Sequence, residues 1–207
     1  MFGVLHQPAV AASGQTFVFC HPLTEEKLWS HRVFVAFARE LAGAGHTVLR
    51  FDYRGNGDSD GEFSEISLET LCADVRAAIA EALKRSGRQH VTLVGLRAGA
   101  TVAALVADNA HQLVDRLVLW APVVDGSRYM QDLLRMNLTT QIAAHKEIQH
   151  DREALAGQMQ QGQTVNVDGY EMAWPLFSQF SAVRLADASK QFAGRCLVVQ
   201  VDRRPRP

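Results

Sequence analysis

Residues 93–101 read LVGLRAGAT, and the arginine at their centre, Arg97, stands where one kind of segment gives way to another. The run at 91–94 (VTLV) has the length and β-branched content of a buried strand. The small apolar residues at 98–106 read as a helix, so the chain turns from strand to helix at Arg97 itself. Gly95 and Gly99 flank the arginine. Working outward, residues 17–20 (FVFC), 47–51 (TVLRF), 117–120 (LVLW) and 196–201 (CLVVQV) are further strand-like runs, separated for the most part by helical patterns. Such alternation predicts an α/β fold, a three-layer sandwich in which helices cover both faces of a parallel sheet through right-handed crossovers.

The helices have readable faces. Ser30 is placed to cap a helix bearing Val33, Phe34, Phe37 and Leu41 at helical spacing, with Gly43 or Gly45 at its end. Leu68, Leu71, Val75, Ile79 and Leu83 form the inward stripe of a second helix. Residues 127–190 break the rhythm: Met130, Leu133, Leu134, Leu138 and Ile142 repeat as in a helix, and Asp168-Gly169 within TVNVDGYEM predicts a hairpin. The expected organisation is a core at 1–126, a helix-and-hairpin cap or lid at 127–190, and the last core strand with a tail at 191–207.

Composition narrows the function classes. A chain of 207 residues can bury roughly 70% of its unfolded surface in one domain. Lys plus Arg at 21 balance Asp plus Glu at 22, and the one dense basic cluster, Arg203, Arg204 and Arg206, is short, so no nucleic-acid partner is expected. His6, Gln7 and Pro8 interrupt the N-terminal apolar stretch, and no run approaches the ~20 apolar residues of a membrane span, which points to the cytoplasm. Cys20, Cys72 and Cys196 read as small buried hydrophobes in a reducing compartment. His145 and His150 lie five apart, off one helical face, and no other cluster has ligand spacing, so neither a metal nor a cofactor is expected.

In open α/β sheets ligands bind beyond the carboxyl ends of the strands. Four segments end there: 20–23 (CHPL), 51–61 (FDYRGNGDSDG), 94–100 (VGLRAGA) and 120–126 (WAPVVDG). Together they resemble the α/β-hydrolase fold, in its branch of serine aminopeptidase-like and lysophospholipase-like hydrolases. The resemblance includes the D-x-R-G-x-G-x-S turn as Asp52, Arg54, Gly55, Gly57 and Ser59, and the elbow glycines Gly95 and Gly99. PLTEEKLWSHR and GLRAGAT are also similar to hydrolases associated with bacterial exosortase and exopolysaccharide systems.

The resemblance implies an ester, thioester or amide of a small or acyl compound as substrate, and it assigns roles by position. The family's elbow is G-x-S-x-G, so Arg97 occupies the nucleophile position. The oxyanion-hole donors would be the backbone N–H of Ala98 and, because Pro22 has none, that of Leu23. The acid would be Asp125 or Asp202, each otherwise a solvent-side loop carboxylate. The histidine should follow the last strand, yet all eight histidines lie at or before His150. Ending after VDRRPRP, the fold is expected to be C-terminally incomplete, with an open edge at 196–201 that invites a homodimer.

A positive side chain at a helix N-terminus needs a partner, because about half a positive charge is already there. Either Arg97 turns to a loop carboxylate such as Asp52, Asp58 or Asp125 and plugs the pocket, or Arg97, with His21 nearby, holds an anionic ligand. Cys20 and His21 do not form a thiol–base pair, since neighbours on a strand face opposite sides, and Ser59 is expected to satisfy its turn. Two functions remain: a hydrolase without a serine, with water attacking a carbonyl held by Leu23 and Ala98, or a catalytically inactive module for an anionic ligand or a partner protein.

Overall fold

A computed structural model of the chain describes residues 1–9, 14–187 and 191–200, without the side chains of residues 144 and 145. In chain order the strands are β1 Gly3–His6, β2 Thr16–Cys20, β3 Thr47–Phe51, β4 Val91–Leu96, β5 Val114–Trp120, β6 Val165–Val167, β7 Tyr170–Met172 and β8 Arg195–Val199. The helices are α1 Glu25–Gly43, α2 Leu68–Ser86, α3 Ala98–Asn109, α4 Gly126–His145, α5 Arg152–Gln160 and α6 Trp174–Ser181. Six strands form one sheet in the order β1-β3-β2-β4-β5-β8, and β6 pairs with β7 as a separate hairpin. The order doubles back at β2, so the ends of β2 and β4 lie side by side at a switch point where loops diverge.

The α/β layering agrees with the sequence reading, with local corrections. The sheet is not wholly parallel, because β1 runs antiparallel to β3, with Gly3 opposite Phe51 and His6 opposite Val48. Four residues with two aliphatic side chains carry too little pattern to announce an edge strand. α1 starts at Glu25 rather than after Ser30, whose hydroxyl donates to the carbonyl of Glu26 inside the helix. Glu25 and Glu26 occupy the first turn, where the helix dipole favours acids. Of the expected inward face only Phe34 is fully buried, while Val33 and Phe37 stay in water. Cys196, expected to be buried, is exposed on β8.

α2 matches its reading. Ser67 and Thr70 form a reciprocal cap at its start, Gly87 ends it in the left-handed conformation, and Leu71, Val75 and Ile79 are buried. On one side of the sheet these residues join Val18, Leu93 and Val102, and the same continuous core takes in Met130, Leu134, Met159 and Phe180 from residues 127–190. The other side is thinner: Phe19, Val48 and Val94 pack against Phe34 and Ala38 of α1. Asp168 and Gly169 both have positive φ and close the hairpin as the Asp-Gly pair predicted.

Candidate functional site

The corner between β4 and α3 is strained at Arg97. Arg97 has φ 53° and ψ −121°, a conformation that non-glycine residues adopt at a cost on the order of 1–3 kcal/mol. Its N–H donates to the carbonyl of Trp120 at 3.0 Å, and its carbonyl accepts from Ala100 and Thr101, so β5 and the first turn of α3 hold the corner. A Cβ on Gly95 would strike the backbone of Ala100, and one on Gly99 would strike the carbonyls of Cys20 and His21. The glycines are therefore what lets α3 start against the loop after β2, bringing the loop that carries Leu23 beside Ala98.

The Arg97 side chain is tied down at one nitrogen. Its Nε donates to Glu26 Oε1 at 2.8 Å, and its guanidinium lies over the Tyr129 ring, 5.5 Å from the centre. Tyr129 in turn donates its hydroxyl to Glu26 Oε2 at 3.1 Å. Burial first, and then the Glu26 carboxylate, push the Tyr129 phenol well above its usual pKa, so it remains a donor. The two terminal guanidinium nitrogens have no hydrogen bond among the described residues, and the side chain is 39% exposed. The partner is thus Glu26 and none of the expected Asp52, Asp58 or Asp125. Sequence reasoning missed both Glu26 and Tyr129, since Glu26 lies before the helix start expected at Ser30 and Tyr129 falls in the helical pattern of the cap.

The rejected carboxylates have other work. Asp52 pairs with Lys27 at 2.9 Å and accepts the Asp58 N–H at 3.0 Å. These contacts outweigh its partial burial and hold the carboxyl below its ordinary range. Asp125 caps α4 by accepting the Arg128 N–H at 3.0 Å and pairs with Arg184 at 3.2 Å. Asp202 lies outside the described residues, as do Arg203, Arg204 and Arg206, and so does the side chain of His145.

His21 is not brought to Arg97. Its ring packs on Phe34, 4.7 Å between centres, and lines a small cavity of about 60 Å³ with Arg50, Asp52 and Asp58, in which Arg97 takes no part. The residue is 2% exposed. Burial drives its pKa down to about 3, against the pull of Asp52 and with the push of Lys27, Arg50 and His31, so the imidazole is neutral. Cys20 points to the opposite side, into the α2 and α3 core, where burial raises its thiol to about 12. Ser59 donates to the Asp52 carbonyl at 2.6 Å and accepts from the Phe2 N–H at 2.8 Å, as a turn residue should.

With this geometry in place, the comparisons decide the lineage. The family described as serine aminopeptidase, S33, matches residues 13–174. The chain belongs to that family of α/β hydrolases. A human relative, Protein ABHD12B, is 34% identical over 120 residues, which are 56% of this chain and 32% of that protein. The chain therefore spans about a third of that relative's length. Among solved structures, Est1E from Butyrivibrio proteoclasticus, determined with ferulic acid bound, superposes with a TM-score of 0.72 at 18% identity, covering 95% of this chain and 73% of that one. XC6422 from Xanthomonas campestris, described as an α/β serine hydrolase without a lid, gives 0.50 at 28% identity over 59% of this chain and 56% of its own. No described helix is long and apolar enough to cross a membrane.

Proposed function

We propose that the protein is an α/β-hydrolase-fold module that binds the anionic group of a small acyl or aryl acid at Arg97 and does not cleave substrates through a serine ester. One observation carries this reading: the strained elbow is retained, but it presents a guanidinium with two nitrogens unengaged among the described residues beside the first amides of α3. A fork of charged N–H donors next to a helix N-terminus suits a carboxylate or phosphate. The Glu26 pair fixes the guanidinium's direction, and the Tyr129 face supports its plane. Est1E, a solved structure of the same fold, was determined with ferulic acid, an aromatic carboxylic acid, bound.

A hydrolytic reading survives on the family membership alone. In it, the N–H groups of Leu23 and Ala98 polarise a carbonyl, Arg97 holds the anionic end, and water attacks. A cytoplasmic location, which rests on the interrupted N-terminal apolar stretch, and a role beside an exopolysaccharide or exosortase system, which rests on sequence resemblance, belong to the same proposal. Thermal unfolding with ferulate, short acyl carboxylates and inorganic phosphate, repeated on Arg97→Ala, tests the anion site that both readings place at Arg97, and turnover of an acyl ester separates them. Ligand stabilisation that disappears in Arg97→Ala supports anion binding, because at a hundredfold excess over Kd a ligand contributes about 2.7 kcal/mol. Labelling of any serine by a fluorophosphonate probe would overturn the proposal.

A further inference from the structure

Arg97 does not meet its ligand as a bare cation. Its Nε already donates to Glu26 Oε1 at 2.8 Å, and the other oxygen of Glu26 accepts the Tyr129 hydroxyl at 3.1 Å. The three residues come from separate segments: Glu26 from the first turn of α1, Arg97 from the corner before α3, and buried Tyr129 from α4. With both oxygens held, Glu26 is not free to swing aside when a second anion reaches the terminal nitrogens of Arg97. Asp52 is bound to Lys27 and Asp125 to Arg184, which leaves Glu26 as the carboxylate set on the guanidinium.

The charges of Arg97 and Glu26 sum to zero. What remains for a ligand is the fork of the two terminal nitrogens and the half charge of the α3 N-terminus. An anion on that fork lies roughly 7 Å from the Glu26 carboxylate, across one guanidinium and two hydrogen bonds. The side chains of Arg97 and Glu26 are 39% and 23% exposed, so water screens the repulsion without abolishing it. At that separation, and at a dielectric between those of a protein surface and of water, each negative charge on the ligand loses about tenfold in affinity to Glu26. A carboxylate bears that loss once and satisfies both nitrogens of the fork. A phosphate dianion bears it twice, and the Tyr129 ring, which turns its negative face to the guanidinium, adds no donor for a third oxygen.

Given the anion site at Arg97 on which this rests, we infer that Glu26 is its charge selector, and that the site takes a singly charged acid, a monocarboxylate, in preference to a phosphate dianion. Calorimetric titration at pH 8 with benzoate, benzenesulfonate and phenyl phosphate keeps the ring constant and varies the head from a planar monoanion to a tetrahedral monoanion to a tetrahedral dianion. In the original protein phenyl phosphate should bind no more than about threefold tighter than benzenesulfonate. In Glu26→Gln, which keeps an oxygen for the Arg97 Nε, the ratio of those two Kd values should move about tenfold toward phenyl phosphate. The ratio of benzoate to benzenesulfonate should stay within about threefold, since both carry one charge. Should Glu26→Gln not fold, Glu26→Ala makes the same test by deleting the charge. If Glu26 merely holds Arg97 in place, its loss changes all three affinities by one factor, so an unmoved ratio overturns the selector and leaves the anion site standing. A larger preference for phenyl phosphate in the original protein overturns it as well. If none of the three binds the original protein, or if Arg97→Ala binds them equally well, the anion site itself falls and the selector with it.

Discussion

Two loops at the mouth of the sheet keep their family glycines but differ in which residue carries the positive φ. In the turn at residues 51–61, the side chains are bonded within the fold: Arg54 to Asp74, Asp52 to Lys27, Ser59 to the Asp52 carbonyl. At the elbow the glycines and the strained φ remain, yet Arg97 is bonded at one nitrogen and turns the others outward. In the first loop the positive φ angles fall on Gly55, Gly57 and Gly61, which adopt them without strain, and Arg54, like Arg97, is bonded among the described residues through its Nε alone of its side-chain nitrogens. The second holds a strained backbone at a non-glycine residue, and strain without a use is readily lost to substitution.

The largest expected effect lies where the two loops share His21. Its neutral, buried ring has a folded pKa of about 3 against an ordinary 6.5. Above pH 6.5 neither state holds the extra proton, and stability is full. As pH falls from 6.5 toward 3, the unfolded chain takes up a proton that the folded chain refuses, so stability is lost throughout that window. Urea unfolding at pH 7 and pH 4 should differ by on the order of 3 kcal/mol from this group, and His21→Phe should flatten most of that difference. Equal slopes in the two proteins would show that His21 is not the sensor.

Packing at the elbow comes next. Gly99→Ala drives a methyl group into the Cys20 and His21 carbonyls and should cost about 3 kcal/mol by thermal or urea unfolding. In the turn, Asp74→Asn weakens a buried carboxylate that accepts from both the N–H and Nε of Arg54 and should cost about 2 kcal/mol. If Gly99→Ala were as mild as an exposed substitution, the close approach of α3 to the β2 loop would be wrong, and with it the placing of Leu23 beside Ala98.

The fold was legible wherever a segment advertised itself. The hairpin carried both apolar runs and Asp168-Gly169, while α2 was read from its apolar stripe without its Ser67 cap. β1 carried neither, and its pairing is fixed by β3 rather than by its own residues. The start of α1 was misplaced because Ser30 looks like a cap, while the true N-cap, Thr24, makes no side-chain bond. Val33 and Phe37 fit the helical period but not the core, since period alone does not say which apolar side faces inward. At the site, the glycine pattern located the elbow, but Glu26 comes from 71 residues away and Tyr129 reaches Glu26 across 103. No local spacing encodes such meetings.

The smallest expected effect in stability is the most telling about use. Arg97→Gly removes a half-exposed ion pair, worth under about 1 kcal/mol in water, and relieves a positive φ that costs about as much or more. The variant should therefore unfold within about 1 kcal/mol of the original, on the more stable side, while losing any shift with ferulate or phosphate. Arg97→Ala keeps the strain and should be slightly less stable than Arg97→Gly, with the same loss of ligand response. A residue held in a costly conformation, whose removal stabilises the chain and abolishes binding, is a residue retained for its ligand. If Arg97→Gly were instead destabilising by several kcal/mol, the Glu26–Arg97–Tyr129 cluster would be a structural plug, and the elbow would belong with the turn at 51–61 as architecture alone.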